Sequence, residues 1–220
     1  MIPEIWQEFL RRAAPNPPAD AHGTLITQRG ELRLESGAWA PFTAEQSFEA
    51  KRCEFCWHAR VKMAPLVTAV VEDAYEGGHG RLEAKVFGVF RVAKGEPGVA
   101  LDRGERMRYL AELAWNPLAI VQNPDLRFGV APSGKPRIWA GGDEGGYVDF
   151  TFDSAGDLVA IETQVRPRGD EGIPTPWSGR FLRYGELGSA RVPVEAEVSW
   201  DLPAGRQVYW RGHVESFHFR

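Results

Sequence analysis

Between Glu54 and Met63 every second residue is apolar. Phe55, Trp57, Ala59, Val61 and Met63 share one face, and Glu54, Cys56, His58, Arg60 and Lys62 share the other. A period of two marks a strand with one face buried and one wet, as in an antiparallel sheet. The alternation recurs along the chain. Residues 66–75 form an apolar, β-branched run closed by the turn signal Glu76-Gly77-Gly78-His79-Gly80. Leu82, Ala84, Val86, Gly88, Phe90 and Val92 then alternate with Arg81, Glu83, Lys85, Phe87, Val89 and Arg91, which predicts a strand covered in part on both faces. Val148, Phe150 and Phe152, the turn Asp153-Ser154-Ala155-Gly156-Asp157, and Val159, Ile161, Thr163 and Val165 predict a hairpin. Residues 167–179 read as a Pro/Gly loop containing Pro174-Thr175-Pro176-Trp177. Further strands are predicted around Val192–Trp200 and Val208–Val214, with a turn at 201–205.

Two helices punctuate this series. Ile2, Ile5, Trp6, Phe9, Leu10 and Ala13 stand at helical spacing, with Arg11 and Arg12 in the last turn where they suit the dipole. The polar face is mixed in sign, so this helix is expected to cover a sheet and not to lie on a membrane. The second helix is expected from Asp102 to Ala114, with Asp102 as N-cap, Glu105 three residues on, and the stripe Met107, Leu110, Ala111 and Ala114. Asn116-Pro117 ends it or starts a short helix, and Asn123-Pro124 closes the segment.

Strands, a helical insertion and strands again give an α+β chain that is mainly antiparallel β. The expected architecture is a curved sheet or half-barrel of about nine long strands, which would curl strongly, with the inserted helix on its concave face. The 220 residues, 43% hydrophobic, suffice for one domain: a helix over 1–14, a Pro-rich linker over 15–20, and a half-barrel over 21–220 that includes a helical segment at 102–122. The net charge of −4 offers no basic field for nucleic acid. Glu4, Gln7 and Glu8 interrupt any signal-peptide core, and no apolar run approaches a membrane span, so a cytoplasmic location is expected. Cys53 and Cys56 make one C-x-x-C pair without a second, and they are expected to be ordinary reduced thiols that bind no metal.

Several segments together resemble an uncharacterised bacterial and archaeal family, a domain of unknown function. They are Trp39-Ala40-Pro41-Phe42-Thr43-Ala44-Glu45-Gln46, Phe55-Cys56-Trp57-His58-Ala59-Arg60, and Asp73-Ala74-Tyr75 with Gly78 and Gly80. The clearest is Gly104-Glu105-Arg106-Met107-Arg108-Tyr109-Leu110-Ala111-Glu112-Leu113-Ala114-Trp115-Asn116-Pro117. Phe152-Asp153 with Gly156, Pro176-Trp177-Ser178-Gly179 and Val192-Pro193 leading to Trp200 follow. Cys53 and Cys56 depart from the pattern, which has small or apolar residues there. The resemblance brings no activity with it. Its order of strands and helix is similar to that of the half-barrel carriers that move bacterial lipoproteins between membranes. Those carriers are periplasmic, and this chain shows no export signal.

Glu105, Arg108 and Glu112 are spaced by three and four on the predicted helix. With Arg60 and Asp73 from neighbouring strands they would form a polar cluster beneath it, the kind of cluster in which pKa values shift. A capping Glu105 and a surface Arg108–Glu112 pair is the plainer alternative. The five histidines show no ligand spacing, and no nucleophile elbow, P-loop or dinucleotide fingerprint appears. Gly141-Gly142-Asp143-Glu144-Gly145-Gly146 leads into no helix and reads as a loop.

The expected function is binding of an apolar or amphipathic small molecule between sheet and helix, with Trp57, Met107, Tyr109, Trp115, Trp139 and Trp177 as its contacts. No cofactor is expected. A hydrolase-like enzyme, with Glu105 as acid or base and Arg60 or Arg108 as anion stabiliser, is one alternative. A non-catalytic interaction protein with a filled core is another. A carboxylate and an arginine in contact at the cavity would favour chemistry; a lining of Trp, Phe, Val and Leu would favour binding.

Overall fold

The computed structural model describes residues 1–86, 90–143 and 146–220, with Arg91 and Val92 described as backbone only. After α1 (Glu4–Ala13) come six strands: β1 (Gly23–Arg33), β2 (Trp39–Glu49), β3 (Glu54–Ala64), β4 (Val67–Glu76), β5 (His79–Val86) and β6 (Phe90–Lys94). A helical segment follows: α2 (Val99–Ala111), a 3-10 turn (Leu113–Trp115) and α3 (Ala119–Gln122). Then come β7 (Leu126–Val130), β8 (Pro136–Ala140), β9 (Val148–Phe152), β10 (Leu158–Arg168), β11 (Ile173–Leu187), β12 (Ala190–Leu202) and β13 (Gly205–Phe219). The strands form one antiparallel sheet in the order β6-β5-β4-β3-β2-β1-β13-β12-β11-β10-β9-β8-β7. Two meanders therefore meet in the middle, where β1 pairs with β13. The helical segment carries the chain from one edge strand, β6, to the other, β7.

That connection sets the curvature. α2 touches both β5 and β8, which stand ten steps apart in the sheet. At about 4.8 Å per step a flat sheet would separate them by roughly 48 Å. Thirteen helical residues span only about 20 Å. The sheet must curl around α2, and α2 must lie inside the curl. The core fills that space. Trp6 and Phe9 of α1 pack edge-on against Phe152, and Trp6 also meets Phe150, so the first helix covers the β9 side of the inner face. Met107 and Leu110 of α2 are fully buried.

Several expectations change. Among the described residues there are thirteen strands and not nine. The strand expected over 81–92 is a hairpin: β5 pairs with β6, Val86 opposite Phe90 and Glu83 opposite Lys94. Phe87, Gly88 and Val89 lie outside the described residues, as do Glu144 and Gly145 of the glycine-rich loop. The loop expected at 167–179 is mostly strand, since β10 runs to Arg168 and β11 begins at Ile173. Pro174 and Pro176 are tolerated there because the ladder is already interrupted by a bulge. The helix expected from Asp102 to Ala114 starts a turn earlier, with Gly98 at its N-cap, and ends at Ala111. Asp102 caps nothing. Its carboxylate accepts the Gly80 N–H at 2.8 Å and fastens α2 to the β4–β5 turn. Gly77 and Gly78 in that turn have φ of 58° and 87°, the left-handed pair a tight hairpin needs. Cys53, before β3, and Cys56, on β3, are free thiols. Burial pushes them up to about 12 and about 11, away from the reactive thiolate. No helix among the described residues is long and apolar enough to cross a membrane.

Candidate functional site

A cavity of about 120 Å³ opens between α2 and the inner face of the sheet. An apolar cavity of about 150 Å³ admits a benzene-sized molecule, so this one has room for a ring or a short stretch of alkyl chain. Its two walls differ in chemistry.

One wall is polar and comes from α2, its C-cap Glu112 and β4, backed by β2. The stripe Met107-Leu110-Ala111 turns into the core, which brings Arg108 and Glu112, one turn apart, to the cavity side. Arg108 donates from Nε to Glu112 Oε1 at 2.9 Å and from Nη1 to Asp73 Oδ2. Its guanidinium also lies over Phe55 at 4.8 Å and Trp57 at 5.5 Å. Glu112 Oε2 accepts from Gln46 Nε2 at 2.6 Å. Burial lowers the Arg108 pKa, but Glu112, Asp73 and Glu105 more than reverse this, so the arginine stays charged.

The other wall is aromatic. Trp115, Trp177, Phe181, Tyr209 and Trp210 line it, with Ile161 and Val198. Trp115 packs edge-on against Phe181 at 5.5 Å and Trp210 at 6.3 Å. Its indole N–H donates to the Pro193 carbonyl at 2.8 Å, and that of Trp177 donates to Tyr209 Oη at 3.0 Å. With their polar edges occupied, both indoles offer the cavity apolar surface.

Arg166 interrupts this wall. Its guanidinium lies over Trp177 at 4.3 Å and Trp200 at 5.7 Å. Its carboxylate partner is Glu105 of α2, at 3.5 Å from Nη2 to Oε1. Burial, and then the Asp73 carboxylate, push Glu105 up to about 8, against the opposing pull of Arg166 and Arg108. Glu105 Oε2 and Asp73 Oδ1 are both sealed from solvent without a hydrogen-bond partner among the described residues. The raised Glu105 pKa favours its protonated form near neutral pH.

The residues expected from the sequence divide as follows. Asp73, Arg108, Trp57, Trp115 and Trp177 line the cavity. Glu105 stands behind the lining and reaches it through Arg166. Arg60 lies exposed on the outer face, where its alternation with Ala59 and Val61 puts it. Trp139 is also on the outer face of its strand, beside Gly129, because its neighbour Ile138 takes the core position. Met107 and Tyr109 are wholly buried outside the lining. The Tyr109 hydroxyl donates to the Glu49 carbonyl at 2.8 Å, and burial raises its pKa. Arg166, Tyr209 and Trp210 join the lining without having been expected, as do the exposed Arg180 and the half-buried Glu197, the latter paired with Arg206 at 3.1 Å. For Tyr209 and Trp210 the signal was present in the aromatic-rich last strand. Among the described residues the lining holds no Ser, Cys, His or Lys.

Residues 1–219 match the model of a family of unknown function, DUF6920. The chain belongs to that family. No curated protein matches the sequence of this DUF6920 member. Among solved structures, it is similar to a LolA superfamily protein from Nitrosomonas europaea, at 9% identity and a TM-score of 0.51, over 98% of this chain and 92% of that one. It is similar also to a putative outer membrane lipoprotein-sorting protein domain from Vibrio parahaemolyticus, at 9% identity and a TM-score of 0.52, over 99% and 91%. At such identities the likeness is one of fold. The DUF6920 chain has a LolA-like curved open sheet.

Proposed function

We propose that the protein binds a hydrophobic or amphipathic small molecule in the cavity between α2 and the curved sheet. The observation that carries this reading is the aromatic wall: large apolar faces, with the indole N–H groups of Trp115 and Trp177 already bonded inside the protein, border the cavity. The fold shared with a LolA superfamily protein and a putative lipoprotein-sorting domain supports it. Arginine and carboxylates do stand in contact at the opposite wall, the arrangement that would favour chemistry. Two features weigh against an enzyme there. The carboxylates of Asp73 and Glu112 are engaged by Arg108, and among the described residues the lining offers no hydroxyl, thiol, imidazole or amine nucleophile apart from the Tyr209 phenol, which already accepts from Trp177.

The test is a titration with octan-1-ol followed by tryptophan fluorescence and native mass spectrometry, on the wild type and on Ala111→Phe. Ala111 lines the cavity from α2, so a ring there occupies the space. One-to-one binding to the wild type, lost in a folded Ala111→Phe variant, is expected. Equal binding to both would place the molecule elsewhere.

A further inference from the structure

We infer that the molecule held in the cavity carries an anionic head, and that Arg166 is the residue that binds it. This rests on the binding reading above and gives the ligand a chemical class: an alkyl or aryl chain ending in a carboxylate or a comparable oxyanion.

The first support is the way the backbone delivers Arg166. On β10, Ile161 and Thr163 face the core, and unbroken alternation would send Val165 inward and Arg166 outward. A bulge intervenes. Thr163 pairs with Trp177, but the next partner pair is Arg166 with Thr175, so two residues of β10 are set against one of β11. Thr175 is two residues from the inward-facing Trp177 and shares its face. The bulge therefore turns Arg166 into the cavity, and Arg166 is buried while Gln164 is exposed. Bulges that re-aim a side chain are concentrated at functional sites. Bringing a guanidinium into an aromatic wall is costly unless something there uses its charge.

The second support is how little Arg166 has to hold. Its one hydrogen bond among the described residues is the 3.5 Å contact from Nη2 to Glu105. Among the described residues Nε and Nη1 have no hydrogen-bond partner, and neither atom is sealed from solvent, so both remain accessible beside the cavity. Burial and the neighbouring Asp73 carboxylate raise the Glu105 pKa to about 8, which leaves Arg166 without a full counter-charge at neutral pH. The stacked faces of Trp177 and Trp200 offset part of that deficit, and they leave the edge of the guanidinium, where its donors lie, for a planar oxyanion. The carboxylates of the opposite wall do not repel such a head as free charges would. Arg108 holds both Asp73 and Glu112, and Gln46 holds the second oxygen of Glu112.

The experiment compares three probes of one chain length, octanoate, octan-1-ol and octylammonium, on the full chain at pH 7 by calorimetric titration. Octanoate is expected to bind about tenfold or more tighter than octan-1-ol, as a charge-assisted hydrogen bond to arginine contributes, with octylammonium weakest. In Arg166→Gln the preference for octanoate disappears while octan-1-ol binding stays within about threefold; in Arg166→Lys part of the preference returns. Octan-1-ol equal to octanoate, or octylammonium tightest, in the wild type overturns the anionic head and leaves cavity binding standing. Binding of none of the three overturns both readings. The wild-type comparison decides the charge of the head even where a variant does not fold, and Arg166→Lys, which keeps the cation, then carries the test of Arg166 itself.

Discussion

Arg108 and Arg166 are both buried beside the same cavity, and they are furnished in opposite ways. Arg108 sits on a regular helix, in contact with two carboxylates and two aromatic rings, and one of those carboxylates is tied down again by Gln46. Arg166 sits on an irregular strand, with one carboxyl contact at 3.5 Å and two indoles. A buried charge whose partners come wholly from the fold is part of the fold. One whose partners are incomplete is held ready for something else. The two arginines thus separate the structural wall of the cavity from the receptive one.

The sharpest way to break this comparison is Arg108→Met. The substitution leaves Asp73 and Glu112 buried without their cation, and breaking a buried pair in this way costs about 3–5 kcal/mol. Urea denaturation of the variant and the wild type measures the difference. A loss below about 1 kcal/mol would mean that Arg108 is not the keystone of its wall.

The next test uses pH. Glu105 is raised from its unfolded value near 4.5 to about 8, first by burial and then by Asp73. Between those values the folded chain keeps a proton that the unfolded chain releases, so raising the pH favours unfolding. The stability that Glu105 contributes is complete below about 4.5 and gone above about 8, falling by up to about 1.4 kcal/mol per pH unit between. Glu105→Gln, which carries no titrating proton, is expected to flatten that slope. Denaturation midpoints from pH 5 to 8 read it directly. An unchanged slope would show that another group holds the proton.

How much of this was legible in the sequence follows from where local rules hold. On β3 the alternation of Phe55, Trp57, Ala59 and Val61 gave the inner face correctly, because no irregularity interrupts the strand between Phe55 and Lys62. The stripe Met107-Leu110-Ala111 gave the buried face of α2, since helical period needs no tertiary information. The helix start was misplaced because Asp102 suits an N-cap by type, yet its carboxylate serves a turn twenty-two residues away. The β5–β6 hairpin was hidden because its residues alternate as one longer strand would. Arg166 was invisible for a different reason. Its orientation depends on a one-residue mismatch between β10 and β11, and Pro174 and Pro176, which sit beside that mismatch, made the segment look like a loop. The site lies where period-two reasoning stops working.

The smallest effect sharpens the comparison most. Arg166→Met at pH 6 removes a cation whose only carboxyl partner among the described residues is Glu105. At that pH Glu105 already carries its proton, so no bare carboxylate is left behind. The substitution gives up stacking on Trp177 and Trp200, worth about 0.5–2 kcal/mol, and recovers part of it by placing an apolar side chain in an aromatic wall. The net cost is expected to stay below about 1.5 kcal/mol, against the several for Arg108→Met under the same conditions. A cost equal to that of Arg108→Met would show that the fold relies on Arg166 as it does on Arg108, and the distinction between the two walls would fall. A small cost combined with lost octanoate binding would show an arginine kept in the interior for its ligand, since the fold itself loses little without it.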